Sequence, residues 1–136
     1  MNVPGHRPRY LLDTHIIVWA LIKPKKLSAK TRRILADEDI YVSALTVWEI
    51  AQKAARGRQL LPGFSVIPAV RESGARWLAL QPEHIEAGLA LSSLHGDPFD
   101  RILVGTARIE GMVLLTRDTE ILQGARPLLG PLLQEA

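Results

Sequence analysis

The sequence predicts an α/β fold: a mostly parallel central sheet covered by helices on both faces, in a three-layer α/β/α arrangement. Three observations carry this. The run Tyr10-Leu11-Leu12 ends abruptly at Asp13, and Ile16-Ile17-Val18-Trp19 follows too soon for a hairpin partner, so a strand hands directly to a helix. Short apolar runs recur at 40–43, 77–80 and 112–116. Helix-like segments with clear stop signals lie between them, and that alternation favours parallel pairing. Ligands in such sheets bind outside the carboxyl ends of the strands, which is where Asp13 sits.

The elements follow in order. Residues 1–8 carry two prolines and a glycine and read as a flexible lead-in, leaving 9–136 as one domain. Strand 9–13 leads to a helix over 15–22 that Pro24 stops. Ser28 caps a helix over 29–37. After strand 40–43, a helix over 45–56 buries Val47, Ile50, Ala51, Ala54 and Ala55, and Gly57 ends it. A segment over 65–73 is helical but interrupted by Pro68, and strand 77–80 precedes a helix over 83–93 opened by Pro82. A helix over 98–109 ends at Gly111, strand 112–116 follows, 118–122 makes one or two helical turns, and 126–129 reads as a weak edge strand.

Composition narrows the function classes. At 136 residues, with 47% apolar, the chain is long enough for one real core. It contains no cysteine, which removes disulfides and thiolate metal sites and suits the cytoplasm. No apolar run approaches the roughly 18 residues that span a bilayer, so no membrane role is expected. The net charge of +3 is uneven: Lys23, Lys25, Lys26, Lys30, Arg32 and Arg33 crowd one region, and Lys53, Arg56 and Arg58 follow. Such a cluster suits a polyanion, or serves as a solvated helix face.

Three later acids share the setting of Asp13. Glu49 lies early in the helix after the second strand, Asp100 in the first turn after Asp97-Pro98, and Asp118 just past the last confident strand. Strand ends and the starts of following helices share one edge, so Asp13, Glu49, Asp100 and Asp118 converge there. Converging carboxylates repel one another and call for cations, and hard oxygen ligands suit Mg²⁺ or Mn²⁺. With nucleic acid held on basic residues, this pattern points to a metal-dependent nuclease.

Each acid also has an ordinary reading. Thr46-Val47-Trp48-Glu49 spells a capping box. Asp97 before Pro98 is a usual N-cap, Asp100 suits a helix dipole, and Asp118 can cap the last turns. Asp13 has the weakest alternative, since an acid ending a buried strand costs desolvation unless something such as Arg117 pairs with it. Thr14 and Thr116 flank two of the acids and can orient carboxylates or cap helices. His15 and His95 lack a paired ligand spacing and read as surface or core groups. Trp19 and Trp48 read as core or interface, and Arg101 and Arg108 as solvated.

Four segments together resemble the PIN domain, most closely the VapC-like toxins of bacterial type II toxin–antitoxin systems. They are Leu11-Leu12-Asp13-Thr14-His15, Val47-Trp48-Glu49-Ile50-Ala51, Asp97-Pro98-Phe99-Asp100-Arg101-Ile102-Leu103 and Leu115-Thr116-Arg117-Asp118. The likeness covers about 9–130. It implies Mg²⁺- or Mn²⁺-dependent endoribonuclease activity, with Asp13 and Asp100 as principal metal ligands. Glu49 and Asp118 would complete the shell directly or through water. It also implies an RNA substrate, a cognate antitoxin, a homodimer and a hetero-oligomer with the antitoxin; Trp19, Ile34 and Leu35 are candidate interface residues.

Two other readings stand beside this one. A non-catalytic PIN-like module would bind RNA or protein and keep its carboxylates for structure. A phosphotransfer domain with Asp13 as nucleophile would want an acid at position 15 and a lysine near Asp118; position 15 is His15 and no lysine follows Lys53.

Overall fold

The computed structural model describes residues 7–61, 65–91, 94 and 96–136. Most of the expected lead-in, and His95, lie outside them. The described chain runs β1 (Arg9–Leu12), α1 (Thr14–Ile22), α2 (Ala29–Asp37), β2 (Asp39–Ser43), α3 (Leu45–Ala55), α4 (Val66–Glu72) and β3 (Arg76–Leu78). It continues through α5 (Pro82–Leu89), α6 (Pro98–Glu110), β4 (Val113–Thr116), α7 (Thr119–Leu129) and β5 (Leu133–Glu135). Short 3-10 turns occupy Pro24–Lys26 and Gly130–Leu132.

The strand order is β3-β2-β1-β4-β5, and every pairing is parallel. Leu11 pairs with Tyr41 on one side and Leu114 on the other, so β1 is central. The chain steps outward from β1 to β2 and β3, then crosses to β4. The order therefore reverses between β1 and β4, and the crevice at their carboxyl ends is the binding position of an open α/β sheet.

Strand alternation divides the core in two. Leu11 and Leu114 face a cluster built with Ile102, Leu103, Val104 and Ala107 of α6 and Ile121, Ala125 and Leu129 of α7. Leu12 and Leu115 face the other way, onto Ile16 and Ile17 of α1, Val70 of α4, and Ile40 and Val42 of β2. Both faces are covered, which gives the expected three layers. Trp19, Ile34 and Leu35 are partly buried against this second cluster, so much of that candidate interface belongs to the core.

Helices α5 and α6 run antiparallel in backbone contact. A Cβ on Gly88 would lie 2.5 Å from the Ile102 Cα, and one on Gly105 would lie 2.5 Å from the Gly88 backbone nitrogen. No side chain fits at either position, and the contact fixes the pitch of α6, which carries Asp100. At the far end His84, fully buried, accepts from the Gln81 backbone N–H at Nδ1, 3.1 Å away, and meets Glu110 Oε2 with Nε2 at 2.7 Å.

The structure departs from the sequence reading in a few places. Residues 126–129 are helical, not an edge strand: α7 passes through Pro127, because Ile121, Ala125 and Leu129 recur every four residues and are buried together. Gly130, at φ 53°, ends that run, and the edge strand comes later at Leu133–Glu135. Pro68 does not break α4, since it falls in the first turn, where its missing N–H has no helical partner to lose. Helix α5 stops at Leu89, before the expected 93.

Candidate active site

Asp13 leaves the end of β1 in extended conformation at the N-terminus of α1, but its carboxylate makes no capping hydrogen bond to that helix. It is held from the side. Thr116, at the end of β4, donates its hydroxyl to Asp13 Oδ2 at 2.8 Å. The same Thr116 oxygen accepts the Asp118 backbone N–H at 3.0 Å. One buried hydroxyl thus joins the two central strands where the sheet order reverses. Asp13 is only 5% exposed, and burial raises its pKa above the usual carboxylate value. The Thr116 hydrogen bond works against that rise, and the charge of Glu49 adds to it.

Glu49 is also buried. Thr14 donates to its Oε1, and Lys53 Nζ lies 3.1 Å from its Oε2. The expected capping box is absent. Helix α3 begins at Leu45, so Thr46 is already inside it; the cap residue is Ala44, and Ser43 Oγ takes the Leu45 N–H at 3.1 Å. Thr46 instead sits buried within 3.4 Å of the Thr14 hydroxyl. Glu49 is therefore freed from a helix-starting role and drawn toward the start of α1.

Asp100 shows most directly that the acids share one field. It is half-buried in the first turn of α6, and its pKa is raised to about 8. Burial is the largest cause, followed by the charges of Asp97, Asp13, Asp118 and Glu49. All four predicted acids are thus brought together, with Asp97 as a fifth. Asp97 does cap α6, accepting from the Phe99 N–H at 2.9 Å. Asp118 caps α7 with Oδ1, accepting from Glu120 N and Ile121 N at 2.9 and 3.1 Å. It is exposed, and its Oδ2 is free of that duty.

The surroundings of the acids differ on the two sides. Glu49, Gln52 and Lys53 of α3, with Arg56 just past its end, face Asp97, Pro98 and Phe99 across a groove of about 290 Å³. Trp48 stands 57% exposed beside it, edge-on to Phe99 at 5.4 Å, so it is not core. On the other side Arg117 does not pair with Asp13. Its guanidinium lies over the Trp19 ring at 5.3 Å and donates to the Lys26 carbonyl at 2.9 Å. Lys26 Nζ lies over the same ring at 5.5 Å. Lys23, Lys25, Lys30, Arg32 and Arg33 are exposed. Arg101 is not simply solvated: it donates to the Leu89 carbonyl at 2.6 Å.

Among the described residues, no three His, Cys or acidic side chains close on one point as a metal cage. Mg²⁺ does not need such a cage, since one or two carboxylates with water and substrate phosphate are its usual shell. The donors are all hard oxygens, and among the described residues no side-chain hydrogen bond lowers the raised pKa of Asp100. These residues fit a small divalent ion. The sequence reading missed Lys53 as part of the site; a lysine four residues after a glutamate looks like any exposed helix pair.

The PIN domain family matches residues 10–127. Ribonuclease VapC22 of Mycobacterium tuberculosis is 32% identical over 121 residues, covering 86% of this chain and 92% of its own. The tRNA(fMet)-specific endonuclease VapC of Shigella flexneri is 29% identical over 118 residues, covering 82% and 87%. Among solved structures, DNA-bound VapBC from Salmonella typhimurium superposes with a TM-score of 0.65 at 18% identity, over 94% of this chain and 98% of that one.

Proposed function

This chain belongs to the PIN domain family, and on that premise we propose that it is the toxin ribonuclease of a type II toxin–antitoxin pair. The observation that carries the reading is the field around Asp100, where four other carboxylates crowd a single switch-point crevice. Such crowding is unfavourable in a protein that keeps its acids for stability alone.

The reaction is endonucleolytic hydrolysis of an RNA phosphodiester in the cytoplasm. Mg²⁺ or Mn²⁺, when bound, supplies positive charge that activates water and offsets charge developing on the phosphate. Asp13 and Asp100 are the residues to hold the ion, Asp118 completes the shell directly or through water, and Glu49, already bonded to Thr14 and Lys53, stands beside it. Thr116 and Thr14 orient two of those carboxylates through the hydroxyl contacts described above. The exposed lysines and arginines beside the crevice attract the RNA backbone. Among the described residues, no histidine is placed as general base: His15 packs 6.1 Å from the Trp19 ring, and His84 is buried elsewhere. Its partners on this reading are a cognate antitoxin, with which it forms a hetero-oligomer, and a second copy of itself. The nuclease domain spans 9–136.

Purified chain incubated with cellular RNA and Mg²⁺ tests the reading. Discrete cleavage products that disappear with excess chelator, and in Asp100→Asn, are the expected result. Undiminished cleavage in chelator overturns the mechanism. RNA bound but left intact by the wild type indicates a non-catalytic binding module instead.

A further inference from the structure

Both carboxylate oxygens of Glu49 are already engaged, one by the Thr14 hydroxyl and the other by the Lys53 ammonium at 3.1 Å. A Glu–Lys pair four residues apart is commonplace on an exposed helix and contributes little there. This pair is different in its surroundings. The two side chains are only 5% and 20% exposed, and Thr14 and Thr46 behind them are buried. Solvent therefore screens the attraction weakly, and a desolvated carboxylate left without a counter-charge would be costly.

The pair also faces a groove on one side of the acids. Glu49 and Lys53 line it together with Asp97, across from the first turn of α6. An ammonium in that place competes with a divalent ion for the same carboxylate. Two-ion phosphodiester sites hold their metals about 3.5–4 Å apart, with carboxylates serving both. A second ion on Glu49 would have to expel Lys53 and then lie against its charge.

Resting on the nuclease reading above, we propose that Lys53 is a resident monocation of the acidic groove. It keeps Glu49 out of the metal's coordination sphere, so the site takes one divalent ion per chain, held by Asp13 and Asp100. Lys53 is thus a positioning residue that acts through Glu49. Thr116 holds Asp13 in place through Oδ2.

The test is the count of Mn²⁺ ions bound by the metal-free full chain, read by calorimetry and by the paramagnetic signal of free Mn²⁺. One ion per chain is expected for the wild type and for Lys53→Arg, and two for Lys53→Met. The double variant Glu49→Gln with Lys53→Met removes the pair as a neutral unit. It should bind one ion with a Kd within about threefold of the wild type, whereas loss of a ligand costs tenfold or more. Two ions on the wild type, one ion on Lys53→Met, or a tenfold weaker double variant each overturn the proposal. A folded wild type that binds no Mn²⁺ overturns the nuclease reading as well. One bound ion without RNA cleavage supports the count and overturns that reading alone.

Discussion

The two edges of the sheet treat charge in opposite ways. Near the amino ends of the strands, charged groups have partners: Arg7 pairs with Glu38 at 3.2 Å, and Glu110 accepts from His84 Nε2–H at 2.7 Å. Arg9 donates to the Glu110 carbonyl and lies over the Tyr41 ring at 5.9 Å. At the carboxyl ends Asp13, Glu49, Asp97, Asp100 and Asp118 gather. The only ion pair formed there by these acids, among the described residues, is Glu49–Lys53. The matched edge closes the fold. The unmatched edge carries a standing electrostatic cost that a divalent ion would relieve, and on the nuclease reading that asymmetry assigns stability to one end and chemistry to the other.

Substitutions that separate the two edges sharpen the contrast. The largest expected effect is on chemistry. Asp13→Asn or Asp100→Asn should lower RNA cleavage by about a hundredfold or more, because a metal-holding carboxylate is lost, with circular dichroism unchanged. At the matched edge, His84→Ala should cost about 2–3 kcal/mol in denaturant unfolding, since it removes a cap, a charge-assisted bond and buried volume. Cleavage per folded molecule should be unaffected; a fall of tenfold would erase the division between edges.

Acidity gives the next effect. In the folded, metal-free chain the Asp100 carboxyl holds its proton up to about pH 8, against 3.8 for the ordinary side chain. The native state therefore binds more protons across that interval, and stability falls as pH rises from about 4 to about 8. Asp100→Asn should flatten the decline and be more stable at pH 7.5 by roughly 1–2 kcal/mol, after allowing for partial solvent screening. Added Mg²⁺ should restore the wild type but not the variant. Thermal melts at several pH values check both, and a wild type that stabilises steadily toward pH 8 without metal would contradict the unmatched edge. Thr116→Val, which removes one orienting hydroxyl, should weaken Mn²⁺ binding about tenfold. The smallest effect belongs to the exposed pair: Arg7→Ala should change stability by less than about 0.5 kcal/mol.

The sequence made much of this legible, for physical reasons. Strands β1, β2 and β4 are buried on both faces, so they read as short apolar runs between polar stops. Asp13, Asp100 and Asp118 could be grouped because strand ends and helix starts share an edge whatever the packing. Strand β5 could not be read, because Leu128, Leu129, Leu132 and Leu133 show no strand alternation and Pro127 suggested an interruption that the core contacts of α7 override. The capping-box reading of Glu49 failed because helix α3 starts one residue before Thr46. Lys53 was hidden for a related reason: four-residue spacing reveals a neighbour on the helix but not the groove that the neighbour faces.

The strand order has a consequence for when the acidic site can assemble. The first strand made is the innermost, and one of its two flanks waits for a partner about a hundred residues later, since Tyr10 aligns with Val113. While the ribosome is still making the middle of the chain, Asp13 has neither Thr116 nor Asp100 beside it. A nascent chain halted before that point carries an incomplete set of these acids, so on the nuclease reading it cannot cut RNA until β4 and the start of α7 have been made.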